Sequence, residues 1–167
     1  MSHSVTITRT TTTTSGASTL VLNTGYMKTF PGLLKLAQLL LGALVVGILG
    51  YYIRRFNYLV SVSASELFFF VIAVAFLIGT FCLLLSCIIS LSTGGIISKT
   101  IYELIYHTIA FILYLAASIA FLVEVVNKTS SRSTVYEWYM AASVIGLVIS
   151  GLYLLSAFLA QKSYRGI

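Results

Sequence analysis

The chain has 167 residues, of which 59% are hydrophobic and only 8% charged. A soluble domain carries about 25% charged residues, so this composition excludes a protein with a fully wetted surface. The net charge of +6 comes from basic residues scattered near the ends of apolar runs, which marks membrane-interface anchors and argues against nucleic acid as a partner.

Residues 1–29 include the run TRTTTTTSGAS. They have no apolar period and no signal-peptide core or cleavage site, and read as a disordered, Thr-rich cytoplasmic tail. The first membrane helix is then expected to serve as its own insertion signal. That helix is expected over about 33–53. Pro31 suits its first turn, where an amide hydrogen has no helical partner. Lys35 lies just inside and is expected to snorkel to the headgroups. Ala43, Gly47 and Gly50 form a small-residue face that lets another backbone come close. Tyr51 and Tyr52, then Arg54 and Arg55, mark the far interface.

A short loop leads to the second helix, about 66–91, with Glu66 at its positive N-terminal end. Gly79, Cys82, Ser86 and Ser90 make a small, slightly polar stripe along it. Cys82 and Cys87 are five apart and point to different faces, so they read as reduced core residues rather than a bridge. Cys87 alone lies close enough to an interface to suggest palmitoylation. A tight, Gly-rich turn, STGGIISK, follows.

The third helix, about 101–125, organises the rest. Glu103, His107, Ala110, Tyr114, Ala117, Phe121 and Glu124 recur at alternating steps of four and three, and so share one helix face. Lipid cannot satisfy a carboxylate, an imidazole or a phenol, so this face must look at protein. Glu103, His107 and Tyr114 form an intramembrane polar seam, and Lys35 is the expected partner of Glu103. The seam fixes helix register on one reading and carries a proton or ion on the other. Asn127-Lys128-Thr129 is a formal glycosylation sequon that almost abuts this helix, which puts Asn127 at poor reach of the glycosylation enzyme.

The fourth helix, about 137–160, has Trp138 and Tyr139 at its interface. Ala142, Gly146 and Ser150 repeat every four residues, the strongest small-residue pattern in the chain. Packing within the bundle is the plain reading of these stripes, and association with copies of the chain or with other spans is the functional one. A short tail, 161–167, ends the chain. Four helices with short loops predict an all-α antiparallel transmembrane bundle. Counting basic residues at each end puts both termini in the cytoplasm. Glu66, Glu124 and Glu137 fall at the other end, where ion pairs with its basic residues are expected.

No nucleophile–base pair, phosphate loop or metal-ligand spacing occurs in the sequence, which predicts no enzyme, no cofactor and no bound metal. The segments FPGLLKLAQLLLGALVVGILGYY and YHTIAFILYLAASIAFLVE resemble the first and third helices of a MARVEL domain, and the resemblance extends over residues 31–160. The branch containing MAL, plasmolipin and the chemokine-like-factor MARVEL proteins is the most similar. The resemblance implies a non-enzymatic organiser of membranes in vesicle trafficking, membrane apposition or lipid-domain organisation. It implies a place at the plasma membrane or on trafficking vesicles. Its partners would be membrane lipids, including cholesterol-rich domains, other transmembrane proteins and copies of itself. A transporter or channel component built on the Glu103–His107–Tyr114 seam is the alternative, and an accessory subunit of another membrane protein the third.

Overall fold

The computed structural model describes residues 24–55, 62–89, 101–128 and 134–165. The Thr-rich run, the Gly-rich turn, Ser90 and the chain's last two residues lie outside them. Four long helices account for most of the described residues: α1 Phe30–Arg55, α2 Ala64–Ile89, α3 Ile101–Lys128 and α4 Thr134–Arg165. A single 3₁₀ turn, Thr24–Lys28, precedes α1. All four helices are long and apolar enough to cross a membrane, since about 20 residues suffice at 1.5 Å each.

The helices begin where capping chemistry allows. Thr29 accepts a bond from the Gly32 amide at 3.3 Å and donates its hydroxyl to the Tyr26 carbonyl at 2.6 Å. The chain turns so sharply here that a Cβ on Gly32 would collide with the Tyr26 carbonyl oxygen. Ser63 caps α2, accepting from the Glu66 amide at 3.1 Å, and the Ser-x-x-Glu spacing is that of a capping box. These caps place both starts a few residues earlier than the apolar runs alone indicate, because a polar cap carries no hydropathy signal. The far end of α4 reaches Arg165 for the same reason: a helix outlasts its apolar run when the polar residues that follow are good helix formers.

The packing is a ring. Neighbours in the ring are α1 with α2, α2 with α3, α3 with α4, and α4 with α1, the α3–α4 contact being the most extensive. Side-chain pairs fix the directions. Residues from the starts of α1 and α3 meet in Lys35 and Glu103, and residues from the starts of α2 and α4 meet in Glu66 and Tyr139. Gln38 near the start of α1 meets Ser156 near the end of α4. The bundle is therefore up-down-up-down.

Inside runs a column of rings: Phe121 on Phe69 at 5.4 Å, Phe69 edge-on to Tyr114 at 6.3 Å, Tyr114 against Tyr153 at 5.6 Å, and Phe76 between Tyr114 and Tyr153. Val45, Leu49, Ile72, Ala73, Ala117 and Ile149 close around it. Outside, the helices present Leu40, Val71, Ile78, Ile112, Val148 and Phe158, each about half exposed or more. In water such a surface would aggregate; against lipid it is the ordinary outside of a bundle.

Candidate functional site

The site lies at the end where α1 and α3 start and α4 finishes. On α1 the buried residues Leu34, Lys35, Gln38, Gly42, Val45 and Leu49 follow helical spacing, so the face that enters the core carries an ammonium and an amide with it. Lys35 is 2% exposed and does not snorkel to the headgroups. Its stem is turned inward by a better partner: Nζ donates to Glu103 Oε1 and, at 3.0 Å, to the Tyr26 hydroxyl. The same ammonium stands 5.7 Å from the centre of the Tyr26 ring, within cation–π reach. Burial pushes the Tyr26 phenol up to about 12, against the pull of the Lys35 ammonium. Tyr26 is thus a neutral hydroxyl at physiological pH, and the 3₁₀ turn is strapped to the bundle through it.

Glu103 Oε1 also faces His107 Nε2 at 3.4 Å, so one carboxylate oxygen serves both basic groups. Gln38 Nε2 donates to Ser156 Oγ at 2.8 Å. Four buried side-chain atoms have no partner among the described residues: Glu103 Oε2, His107 Nδ1, Gln38 Oε1 and Ser118 Oγ. Three of them belong to this one cluster. A buried ion pair gains little net stability, because desolvating both groups offsets their attraction. What it enforces is registry, since either charge left alone inside the bundle is expensive.

A second polar group adjoins the first. Thr80 of α2 shares hydrogen bonds with Tyr153 at 2.7 Å and Tyr106 at 3.0 Å, and Tyr106 also donates to the Phe76 carbonyl at 3.2 Å. The His107 ring lies 5.8 Å from that of Tyr153. Polar groups thus extend inward from Tyr26 through Lys35, Glu103 and His107 to the Tyr153–Thr80–Tyr106 hydroxyls.

The described residues singled out in the sequence divide between the inside of the bundle and its outer faces. Glu103, His107 and Tyr114 are 4%, 0% and 1% exposed and share the inner face of α3 with Ala110, Ala117 and Phe121. Tyr114 belongs to the aromatic column rather than to the ionic cluster. Ala142, Gly146 and Ser150 are buried within the bundle. A Cβ on Gly146 would stand 2.6 Å from Phe69 Cζ and also meet Ser118, so this stripe seats the Phe69 ring and faces no outside partner. The α1 stripe is the reverse. Ala43 and Gly47 are exposed, Gly50 is half-buried, and a Cβ on Gly47 would meet nothing. The small residue that α1 does place inside is Gly42, because Lys35 and Gln38 set the rotation of the helix. Cys87 is buried, but Cys82 and Ser86 face outward, so the α2 stripe does not pack as one surface. Among the described residues Glu66 takes the Tyr139 hydroxyl as partner and forms no ion pair. Asn127 is exposed and still helical, near the end of α3, while Thr129 of its sequon lies outside the described residues.

Sequence spacing missed Gln38, Thr80, Tyr106, Tyr153 and Ser156 as site members. The signal was there in part: Lys35 and Gln38 are three apart, as are Tyr153 and Ser156, and on facing helices such pairs seek each other. Among the described residues no group of three or more His, Cys, Asp or Glu could hold a metal ion.

The family profile for the MARVEL domain, described as a membrane-associating domain, matches residues 26–163. The match begins at Tyr26, the residue that straps the 3₁₀ turn to Lys35, and takes in all four helices but the last two residues of α4. No curated protein and no solved structure matches the chain.

Proposed function

The chain is an integral multi-pass membrane protein of the MARVEL family, and from that premise we propose that it is a non-catalytic organiser of membranes, acting in vesicle trafficking, membrane apposition or the arrangement of lipid domains. The observation that carries this reading is the division between inside and outside. The polar side chains of the interior bind mainly one another, in the Lys35–Glu103–His107 and Thr80–Tyr106–Tyr153 groups. The outer faces are apolar on all four helices. Such a molecule meets its partners sideways in the bilayer, through lipid or through other spans. Ala43 and Gly47, small and outward-facing, let a neighbouring backbone or lipid chain come close. The MAL-like branch, a site at the plasma membrane or on trafficking vesicles, and cytoplasmic placement of the Lys35 end complete the proposal. At that end stand Lys28, Lys35, Lys162 and Arg165, in keeping with the positive-inside bias.

The test is a comparison of cell-surface proteomes from matched cells with and without the protein. A defined set of membrane proteins failing to reach the surface supports cargo sorting and names the cargo. An unchanged surface removes that role.

A second reading rests on the 3.4 Å approach of His107 to Glu103 inside the bundle. It assigns proton-linked transport to the seam, and predicts flux in liposomes that falls in His107→Ala. Flux equal to that of empty liposomes eliminates it.

A further inference from the structure

On the outside of the bundle, between α1 and the start of α4, lies an open groove of about 500 Å³. That size falls within the roughly 300–1,000 Å³ of ligand sites. Ala43, Leu44, Gly47 and Tyr51 are on its α1 side and Trp138 is on its α4 side. A Cβ on Gly47 would meet nothing within 4 Å, so the backbone of α1 is open to an occupant there. Ala43 lies midway along α1, and Tyr51 one turn from its last residue. The groove therefore runs for about 12 Å at 1.5 Å per residue, most of the roughly 15 Å depth of one leaflet's hydrocarbon.

A cation stands at its outer end. Arg55 Nη1 donates to the Tyr51 hydroxyl at 3.2 Å, and the guanidinium lies 6.0 Å from the centre of the Tyr51 ring. Tyr51 lines the groove, so this bond holds the guanidinium at the groove's rim. Arg54 and Arg55 are both exposed, and among the described residues neither forms an ion pair. One bond to Tyr51 leaves Arg55 further N–H groups to give. An apolar groove of leaflet depth that ends at an unneutralised guanidinium suits a molecule with an apolar chain and an anionic head. A phosphodiester matches the guanidinium fork. A sterol brings only a neutral hydroxyl and leaves the charge unmatched. A second copy docked about a two-fold axis presents the same patch, and so sets its own Arg54 and Arg55 near these.

We propose that the groove is a binding site for one phospholipid, with an acyl chain along Ala43 and Gly47 and its phosphate on Arg55, assisted by Arg54. The site rests on the organiser reading only in that its ligand comes from the bilayer. Cargo sorting is read by the surface proteome, so either can fail without the other.

Trp138 is the single tryptophan of the chain and lines the groove, so its fluorescence reads the occupant. The full chain is placed in vesicles of digalactosyldiacylglycerol, which carries neither phosphate nor charge. Phosphatidylcholine or digalactosyldiacylglycerol, each brominated at the same upper-chain carbons, is then added at the same low mole fraction. Bromine quenches the indole on contact. The phospholipid is expected to show a relative affinity about fivefold higher, the scale of an arginine–phosphate attraction at a membrane surface. Arg54→Gln with Arg55→Gln should abolish the preference and leave equal quenching. Gly47→Leu, which fills the groove, should abolish it with both arginines in place; circular dichroism checks that the variants are folded. Equal quenching by the two lipids in the unmodified protein overturns the proposal, and that result needs no variant. Weak quenching by both means that another span covers the groove, and phospholipid quenching fully displaced by added unbrominated sterol means that a sterol holds it; either overturns the proposal. A preference that survives in folded Gly47→Leu, or in the double glutamine protein, overturns it as well.

Discussion

Lys35 shows how a single side chain can set the position of a helix. Read alone, a lysine five residues into an apolar run belongs at the headgroups; here it is turned inward by Glu103, a partner 68 positions away in sequence. Because the cost lies in leaving one charge alone, Lys35→Met and Glu103→Met are each expected to destabilise the bundle by about 3–5 kcal/mol. The double substitution should recover most of that loss. Unfolding in mixed micelles measures all three proteins, and a double variant no better than the sum of its parts would contradict the pairing. Tyr26 offers a titration. Its folded pKa is raised from 10.0 to about 12, so between those values the folded state holds a proton that the unfolded chain has lost. Its contribution to stability is full below pH 10 and is lost as pH rises through about 12. The difference in tyrosinate absorbance between the unmodified protein and Tyr26→Phe should therefore appear late in an alkaline titration. At this scale the sequence made the pairing of Lys35 with Glu103 legible, because few charges were available to choose from. It hid Gln38, Thr80 and Ser156, since an uncharged polar residue in a membrane helix can equally well bond its own preceding turn, as Ser86 does to the Cys82 carbonyl.

Helix faces separate small residues that pack from small residues that do not. Gly146 sits under the Phe69 ring, and Gly47 has open space beside it. Gly146→Leu should cost about 1–3 kcal/mol through overpacking, whereas Gly47→Leu should stay within about 0.5 kcal/mol. Thermal unfolding compares them directly, and equal effects would mean that α1 is rotated from the position described. For the same reason Gly146 is unsuited to testing self-association, because its loss disturbs the fold first. Gly47 is the position to use, with crosslinking yield as the readout. The inner face of α3 was legible because a carboxylate, an imidazole and a phenol recur at steps of four and seven. The inner face of α1 was not, because Ala43 and Gly47 mimic a packing stripe while the rotation is set by Lys35 and Gln38. Helix starts were blurred by one physical cause, that caps such as Thr29 and Ser63 are polar.

For the whole molecule, class and helix order followed from apolar length and short loops, while the ring order of helices and their rotations needed contacts that no single helix encodes. The surface-proteome comparison belongs to this scale, since it reads the assembled bundle in its membrane. One feature of the assembly has a genetic meaning. The bonds Lys35–Glu103, Gln38–Ser156, Glu66–Tyr139, Thr80–Tyr106 and Thr80–Tyr153 each join a residue of α1 or α2 to a residue of α3 or α4. A gene cut in the loop between α2 and α3 would encode two hairpins, each carrying one side of all five. Such halves, expressed from separate messages, should find each other in the bilayer and purify together. Lys35→Met with Thr80→Val in the first half should prevent it, and an unmodified pair that never co-purifies would show these bonds too weak to unite the halves. If the halves do unite, the protein can have been assembled in evolution from two hairpins, and can be taken apart again by the experimenter at the same seam.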